Sequence, residues 1–198
     1  MKQIIKYLGK NVRVTMGNFL LIACVVLFAG NFSAANAQEK GDKGIGVHVA
    51  FNTGDVPPPD LGFGAKFRTN FAAKWRLEAA FTYYAPKTLK EELLGVSSEL
   101  KYGLWDLSAN MHFLLRLGDA VNIYPLAGLS FLGQSVSGTA TAFGVSVPMD
   151  DNVTDGFFNL GAGVDFKLSP KLTINAEPKL VIGEDAFLVI SAGVLFNF

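Results

Sequence analysis

The sequence predicts an all-β protein, an eight-stranded antiparallel up-and-down transmembrane β-barrel. The first observation is residues 186–198, where every second residue from Phe198 back to Leu188 is apolar. The second is that seven further segments alternate in the same way, and the third is that short and long connections alternate between segments. A period of two places one set of side chains on each face of a strand, and an apolar outer face suits lipid.

The position of the last segment favours a closed sheet. A soluble sheet that ended on this strand would leave an apolar edge unpaired, and such an edge invites aggregation. A strand that closes a barrel has no free edge. We therefore expect residues 186–198 to pair with the first strand of the fold.

Residues 1–37 are predicted to be a cleaved secretory signal peptide, which leaves residues 38–198 as one barrel domain. An apolar run at 19–29 precedes an Ala-Asn-Ala cleavage site at 35–37, and no acid occurs before it. The run is about half of the ~20 residues that a membrane-spanning helix needs, so a single-pass anchor is disfavoured. The bases of the leader are Lys2, Lys6, Lys10 and Arg13.

Removal of the leader changes the charge and the cysteine content. All 17 acids but only 13 of the 17 bases follow Ala37, so the mature net charge is about −4. No basic patch for nucleic acid is expected. Cys24 is the single cysteine, which excludes disulfides and thiolate chemistry in the mature chain. Residues 21–24 fit a lipoprotein cleavage motif, but the apolar run continues past Cys24, so we interpret this match as accidental.

The alternating segments are long enough to cross a bilayer, which takes ~9–11 tilted residues, and their number is even. They are residues 43–52, 61–71, 74–84, 105–116, 121–134, 156–168, 171–183 and 186–198. Residues 100, 102 and 104 are apolar in the opposite parity to the rest of the fourth segment, so a bulge or the strand start is expected near Leu104. A β-sandwich would also alternate on its two inner faces and remains the alternative fold.

The connections and the aromatic residues agree with a barrel in a membrane. Short turns are expected at 72–73, 117–120 and 169–170, and longer loops at 53–60, 85–98 and 135–155; the connection 184–185 is short. Aromatic residues are expected at the two membrane interfaces. One end carries Phe71, Trp75, Phe113, Phe196 and Phe198; the other carries Phe51, Phe63, Tyr83, Tyr102 and Phe158.

The chain resembles the small bacterial outer-membrane barrels of the OmpA membrane domain, OmpX and OmpW types. The resemblance rests on the leader, the eight segments, the terminal Phe and the stretches at 124–128 (YPLAG) and 158–164 (FNLGAGV). It implies location in the outer membrane, termini in the periplasm and a monomer in contact with membrane lipid and lipopolysaccharide. It also implies that Phe196 and Phe198 form the signal that the barrel-assembly machinery recognises.

The inward faces of the segments carry both signs of charge. An eight-stranded barrel has an interior just wide enough for side chains to fill, so a paired polar plug is expected. Inward glycines either make room for Arg, Tyr and His side chains or leave a small cavity. The predicted lumen network is Lys66, Arg68, Arg76, Glu78, Asp106, His112, Arg116, Asp165, Lys167, Glu177 and Lys179.

No catalytic, cofactor or metal site is expected. His48 and His112 lie on different segments, and a metal would need further ligands at the same depth. Asp106, Ser108 and His112 have the residue types of a hydrolase triad. Along one strand face, however, Ser108 lies ~7 Å from Asp106 and ~13 Å from His112. The acids of the loop at 135–155 lack the glycine of a calcium-binding loop. The protein is therefore not expected to be an enzyme.

The favoured function is a structural or surface-interaction role, with the loops 85–98 and 135–155 as the external surface. The alternative is a passive channel for small apolar molecules across the outer membrane. Pro178 motivates this alternative because it lies on the lipid face of the seventh segment and removes one ladder donor. A tolerated proline at a bulge would explain the same residue.

Overall fold

The computed structural model describes residues 41–53, 61–93, 96–142, 145–183 and 186–198. Within these ranges no helix is long and apolar enough to cross a membrane. The predicted leader with Cys24, the prolines of the 53–60 connection and the connection 184–185 lie outside the described residues. The strands are β1 (Lys43–Asn52), β2 (Leu61–Ala72), β3 (Trp75–Leu93), β4 (Val96–Phe113), β5 (Leu115–Arg116), β6 (Val121–Ala142), β7 (Val145–Ser169), β8 (Leu172–Ile182) and β9 (Ala186–Asn197).

The strands form a closed antiparallel barrel in which each strand pairs with its neighbours in sequence. β5 continues β4 after a break at Leu114, so the nine strands occupy eight positions. β1 pairs with both β2 and β9, and pairing of β4 with β6 completes the ring. The predicted eight-stranded up-and-down barrel is confirmed.

The two ends of the domain meet at the β1–β9 seam. The Lys43 N–H donates to the Phe198 carbonyl at 3.1 Å, and the Phe198 N–H donates to the Lys43 carbonyl at 2.9 Å. The terminal residue therefore completes the last pair of the seam, as expected for a strand that closes the barrel.

Side chains alternate between an apolar outer face and a polar inner face. On β1, Ile45, Val47, Val49 and Phe51 are exposed, whereas His48 and Ala50 are buried in the lumen. The same alternation holds within the barrel on each of the remaining long strands, and each apolar set predicted to face lipid points outward. A soluble sandwich would bury this apolar set, so the exposed apolar band excludes that alternative.

Two of the predicted external loops are wrong, because their residues continue the strands. β3 and β4 remain paired as far as Leu93 opposite Val96, and β6 and β7 as far as Ala142 opposite Val145. β4 and β6 also stay paired over this length. We call the resulting four-stranded extension the external sheet; it comprises residues 85–93, 96–104, 133–142 and 145–157. Tyr102 lies within it and not at the end of its strand.

The expected irregularity near Leu104 is present, but on the neighbouring strand. β4 and β6 pair without a break through Leu104. The β3–β4 register shifts between Tyr84, which faces Leu104, and Lys87, which faces Tyr102. β3 therefore carries one extra residue next to Pro86, where the barrel passes into the external sheet.

Two prolines interrupt the barrel ladders. Pairing with β6 stops opposite Pro125, at residues 113–114, and this gap separates β4 from β5. Pairing of β7 with β8 stops opposite Pro178, at Ala162 and Gly163. A proline has no N–H to donate, so each ladder loses a bond at this point.

Candidate functional site

The centre of the lumen is organised around Arg68, which is 4 % exposed. Its Nε donates to Glu78 and its Nη1 donates to Asp165 at 2.9 Å. Its Nη2 donates to the Tyr124 hydroxyl at 3.0 Å and to Glu177 at 3.3 Å. One guanidinium on β2 therefore joins carboxylates from β3, β7 and β8, and it ties together strands on different sides of the barrel.

Arg76 forms the second half of this centre. Its Nη1 donates to Asp165 at 2.6 Å, and its Nε donates to His112 Nδ1 at 3.1 Å. The His112 ring stacks on Tyr124 with 4.5 Å between centroids, and both guanidiniums lie over the Tyr124 ring. The Tyr124 hydroxyl donates to Glu177 at 3.0 Å. Tyr124 thus links the two arginines to the carboxylates.

Further out along the lumen, polar side chains pair in smaller groups. Lys179 donates to Asp106 at 3.1 Å, and Lys66 lies 3.6 Å from Glu78. His48 hydrogen-bonds Thr82 at 2.9 Å. Buried polar groups need such partners, because an unmade hydrogen bond in the interior costs ~1–3 kcal/mol.

The predicted lumen residues thus fall into two groups. Nine of them are buried and take part in the contacts described above: Lys66, Arg68, Arg76, Glu78, Asp106, His112, Asp165, Glu177 and Lys179. Arg116 and Lys167 are only partly buried and lie at the mouth of the barrel next to the C-terminal residue. Lys167 lines a polar hollow of about 20 Å³ there with Asp42 and Asp165. Such a space holds about one water molecule.

Apolar side chains close the outer end of the lumen, which the sequence analysis did not predict. We call this group the outer seal; Phe157 and Phe187 pack against it. Its buried members are Ala50, Tyr84, Leu104, Leu132, Val181 and Val189. The signal was available in the sequence as apolar residues in the inward parity at the outer end of several strands. The lumen is therefore polar at its centre and apolar at its outer mouth.

The inward glycines accommodate neighbouring side chains and do not leave a cavity. A Cβ atom at Gly163 would collide with the Tyr124 ring, and one at Gly64 would collide with His48. At Gly62 it would lie 2.8 Å from Tyr84. The first of the two expectations for these glycines is correct, and the side chains that they accommodate come from adjacent strands.

Glu78, His112 and Glu177 offer the one metal-like group found among the described residues, with ligand atoms within 4.8 Å of one another. Arg76 donates to His112 Nδ1, so the lone pair of that nitrogen is already engaged. The neutral ring then carries its proton on Nε2, and a protonated nitrogen cannot bind a metal. Arg68 already pairs with both carboxylates. The arrangement therefore suits internal ion pairing better than cation binding.

The residues with the composition of a hydrolase triad are engaged separately. Lys179 donates to Asp106 at 3.1 Å and to Ser108 at 3.5 Å. His112 instead contacts Arg76 and Tyr124. A nucleophile needs its base within hydrogen-bond reach, and these contacts direct the histidine elsewhere.

The two residues of the predicted assembly signal lie outside the lumen. Phe196 and Phe198 point outward at the C-terminal end of β9 and are 48 % and 65 % exposed. Their exposure leaves both rings accessible to lipid or to another protein.

Comparison with known proteins identifies the family of the chain. The sequence profile described as "Outer membrane protein beta-barrel domain" matches residues 21–198. The chain belongs to this outer-membrane β-barrel family. This membership places the protein in the bacterial outer membrane. No curated protein matches the sequence.

Solved structures show the same barrel fold. Ail, the attachment invasion locus protein of Yersinia pestis, is 22 % identical, with a TM-score of 0.53 over 81 % of this chain and 100 % of that one. The N-terminal domain of Pseudomonas aeruginosa OprF is 15 % identical, with a TM-score of 0.54 over 80 % and 99 %. Neisserial surface protein A is 17 % identical, with a TM-score of 0.51 over 83 % and 100 %. At these identities the likeness is one of fold.

Proposed function

We propose that this outer-membrane barrel is an anchor that presents the external sheet to a partner outside the cell. The observation that carries the proposal is the length of β6 and β7, which have 22 and 25 residues. A crossing takes ~9–11 residues, so at least half of each strand serves another purpose. At ~3.3 Å per residue, the outer 13 residues of β7 extend ~40 Å along the strand.

The external sheet offers two accessible edges and two accessible faces. Among the described residues, Ala85–Leu93 of β3 pairs only with β4, and residues 145–157 of β7 pair only with β6. Each edge contains a proline, Pro86 or Pro148, together with charged residues. Such features discourage indiscriminate pairing of edges between copies and leave the surface available for a specific partner.

The net charge of the external sheet indicates which kind of partner would bind it. Residues 85–104 and 133–157 contain three bases and six acids, and Asp150, Asp151 and Asp155 are grouped on the β7 edge. A complementary partner would present a basic surface. The structure of Ail was solved with a heparin analogue, which is a polyanion. The acidic sheet of this protein disfavours the same class of ligand.

Adhesion of cells that carry the protein in their outer membrane tests this proposal. Cells carrying the full chain are expected to be retained on an immobilised cationic protein and not on heparin, and retention should weaken with salt. Replacing Asp150, Asp151 and Asp155 together by asparagine should reduce retention severalfold. Replacing residues 134–153 by an Asn-Gly turn between the paired Gly133 and Thr154 should have at least as large an effect.

The matched control shortens the other hairpin. Replacing residues 88–101 by Asn-Gly between Lys87 and Tyr102 removes 14 residues, against 20 in the first shortened variant, and keeps all three aspartates of the β7 edge. Surface labelling must show equal amounts of each variant. If the asparagine variant adheres as well as the full chain, the electrostatic part of the proposal is wrong; if both shortened variants do, the display role is wrong.

Passive passage of small apolar molecules is the second candidate, and the interrupted ladder at Pro178 favours it. The polar centre and the outer seal oppose a route along the barrel axis, because both would have to open. We therefore expect no steady conductance in a planar bilayer, either from the wild type or from an Arg68→Met, Arg76→Met variant. If lipophilic solutes enter cells faster when the protein is present, a lateral route is supported; steady wild-type conductance would contradict the filled lumen.

We also infer that residues 1–37 are removed on export and that the barrel acts as a monomer within lipid and lipopolysaccharide. The closed ring leaves no barrel edge for a second copy, which supports the monomer. The exposed aromatic end of β9 supports recognition by the assembly machinery.

A further inference from the structure

A groove on the lipid-facing surface lies between the two prolines that interrupt the ladders. Its volume is about 440 Å³. Phe113 and Leu115 line one side, Pro178 lines the other, and Ala162 and Ala176 contribute small side chains. We call this feature the Pro125–Pro178 groove. It is lined by residues of β4, β5, β6, β7 and β8, so it depends on the closed barrel and not on any one strand.

The lining of the groove includes two residues of the inward-facing parity. Tyr124 and Gly163 point into the lumen, yet both also line the groove. This is possible because the ladder opposite Pro178 is interrupted at Gly163. The Tyr124 ring packs against Gly163 from inside and closes the wall at this point.

The surroundings of the groove restrict what can occupy it. It lies among outward-facing apolar residues of the barrel, so it opens toward hydrocarbon. An empty concavity there would forfeit dispersion contacts, since its lining has no partner atoms on one side. A flexible acyl chain can follow the groove, whereas a rigid barrel wall of a second copy is convex. Pro125 lies four residues from the periplasmic start of β6 at Val121, which selects the periplasmic leaflet.

A cation lies beside the groove on its periplasmic side. The Lys74 ammonium is 6.0 Å from the centre of the Phe113 ring, and Phe113 lines the groove. Lys74 is exposed in the turn between β2 and β3. A basic side chain at this depth is suited to the phosphate of a lipid whose chain lies against Phe113.

We propose that the Pro125–Pro178 groove binds one acyl chain of a phospholipid from the periplasmic leaflet, with Lys74 against its phosphate. The proposal is independent of the display function, because the groove and the external sheet lie at opposite ends of the barrel. Its consequence is a lipid that stays with the barrel while other surrounding lipids exchange.

Native mass spectrometry tests the proposal. The refolded full chain is incubated with phosphatidylglycerol in detergent and passed through a gel-filtration column. One lipid per barrel should remain on the wild type. Ala162→Phe fills the groove and should reduce retention severalfold, as should Ala176→Leu if the first variant folds poorly. Ala65→Phe adds the same ring to the lipid face of β2 and should leave retention unchanged.

A second measurement tests where on the barrel the acyl chain binds. Trp75 stacks edge-on against Phe113 at 5.0 Å, so in a Trp105→Phe background its fluorescence reports on the groove. Phosphatidylglycerol with brominated acyl chains should quench it with saturation at one lipid per barrel, and Lys74→Gln should weaken binding severalfold. Equal retention by the Ala162 and Ala65 variants overturns the acyl-chain site. Unchanged binding by Lys74→Gln overturns the phosphate contact, and a dimer lost only in Ala162→Phe identifies a second copy as the occupant.

Discussion

Replacing Arg68 with methionine is expected to lower the free energy of unfolding by about 3–5 kcal/mol. The guanidinium pairs with Glu78, Asp165 and Glu177, and all of these side chains are buried. Removing it leaves Glu78 with Lys66 and Asp165 with Arg76, but it takes away the ion-pair partner of Glu177 in the interior, where an uncompensated charge is costly. Urea titration of the refolded barrel in lipid vesicles, followed by gel mobility, measures the loss.

Lys90→Met is the matched control. Lys90 also forms an ion pair, with Glu99 at 3.0 Å, but both side chains are exposed on the external sheet. Exposed pairs contribute only ~0–1 kcal/mol, so this variant should unfold close to the wild type. Replacing Arg68 and Glu177 together by methionine should recover part of the loss, because the carboxylate that loses its cation is then removed. A loss for Arg68→Met no larger than that for Lys90→Met would show that the network contributes little to stability.

Replacing Phe198 with lysine is expected to reduce the amount of protein in the outer membrane to a small fraction of wild type. The family resemblance assigns the terminal aromatic residue to recognition by the assembly machinery. The substitution keeps the backbone bonds between residue 198 and Lys43. A charge on the lipid face near the interface costs only ~0–1 kcal/mol, so the finished barrel should remain stable. Cell fractionation and urea titration together separate assembly from stability.

Phe71→Lys provides the comparison for this experiment. Phe71 is also an outward-facing aromatic residue at the periplasmic end of its strand, with 46 % of its surface exposed. It lies on β2, away from the chain terminus, and its replacement should leave the outer-membrane level near wild type. Equal levels of the Phe198 and Phe71 variants would remove the assembly role of the terminal residue.

The direction of each side chain on the barrel could be predicted from the sequence alone. Successive residues of a strand point to opposite faces, so the apolar parity of Ile45, Val47 and Val49 assigns the lipid face without knowledge of the neighbours. The same reasoning assigned eleven polar residues to the inward face; nine of them are buried, and Arg116 and Lys167 lie at the mouth. It also identified the closing pair of strands, because the last segment needed a partner for its apolar edge.

The external sheet could not be predicted in this way. Residues 135–144 are rich in Gly, Ser and Thr, and both faces of the external sheet meet water, so no apolar alternation marks the strand. Residues 135–142 form a strand because β4, β6 and β7 leave the barrel already paired and each continues to supply hydrogen-bond partners to the next. Local composition predicted a loop, and pairing between strands overrode it.

The partners inside the lumen and the lipid-facing groove were likewise decided by the tertiary structure. The sequence predicted that Arg68 and Glu78 face inward, but the convergence of Arg68, Arg76 and Tyr124 depends on the curvature and register of three different strands. Pro125 and Pro178 are 53 positions apart in the sequence and flank one groove only because β7 lies between their strands. The period of a strand is a local property of the chain, so sequence determines which face a residue occupies. Which residues meet across that face depends on how the ring of strands closes.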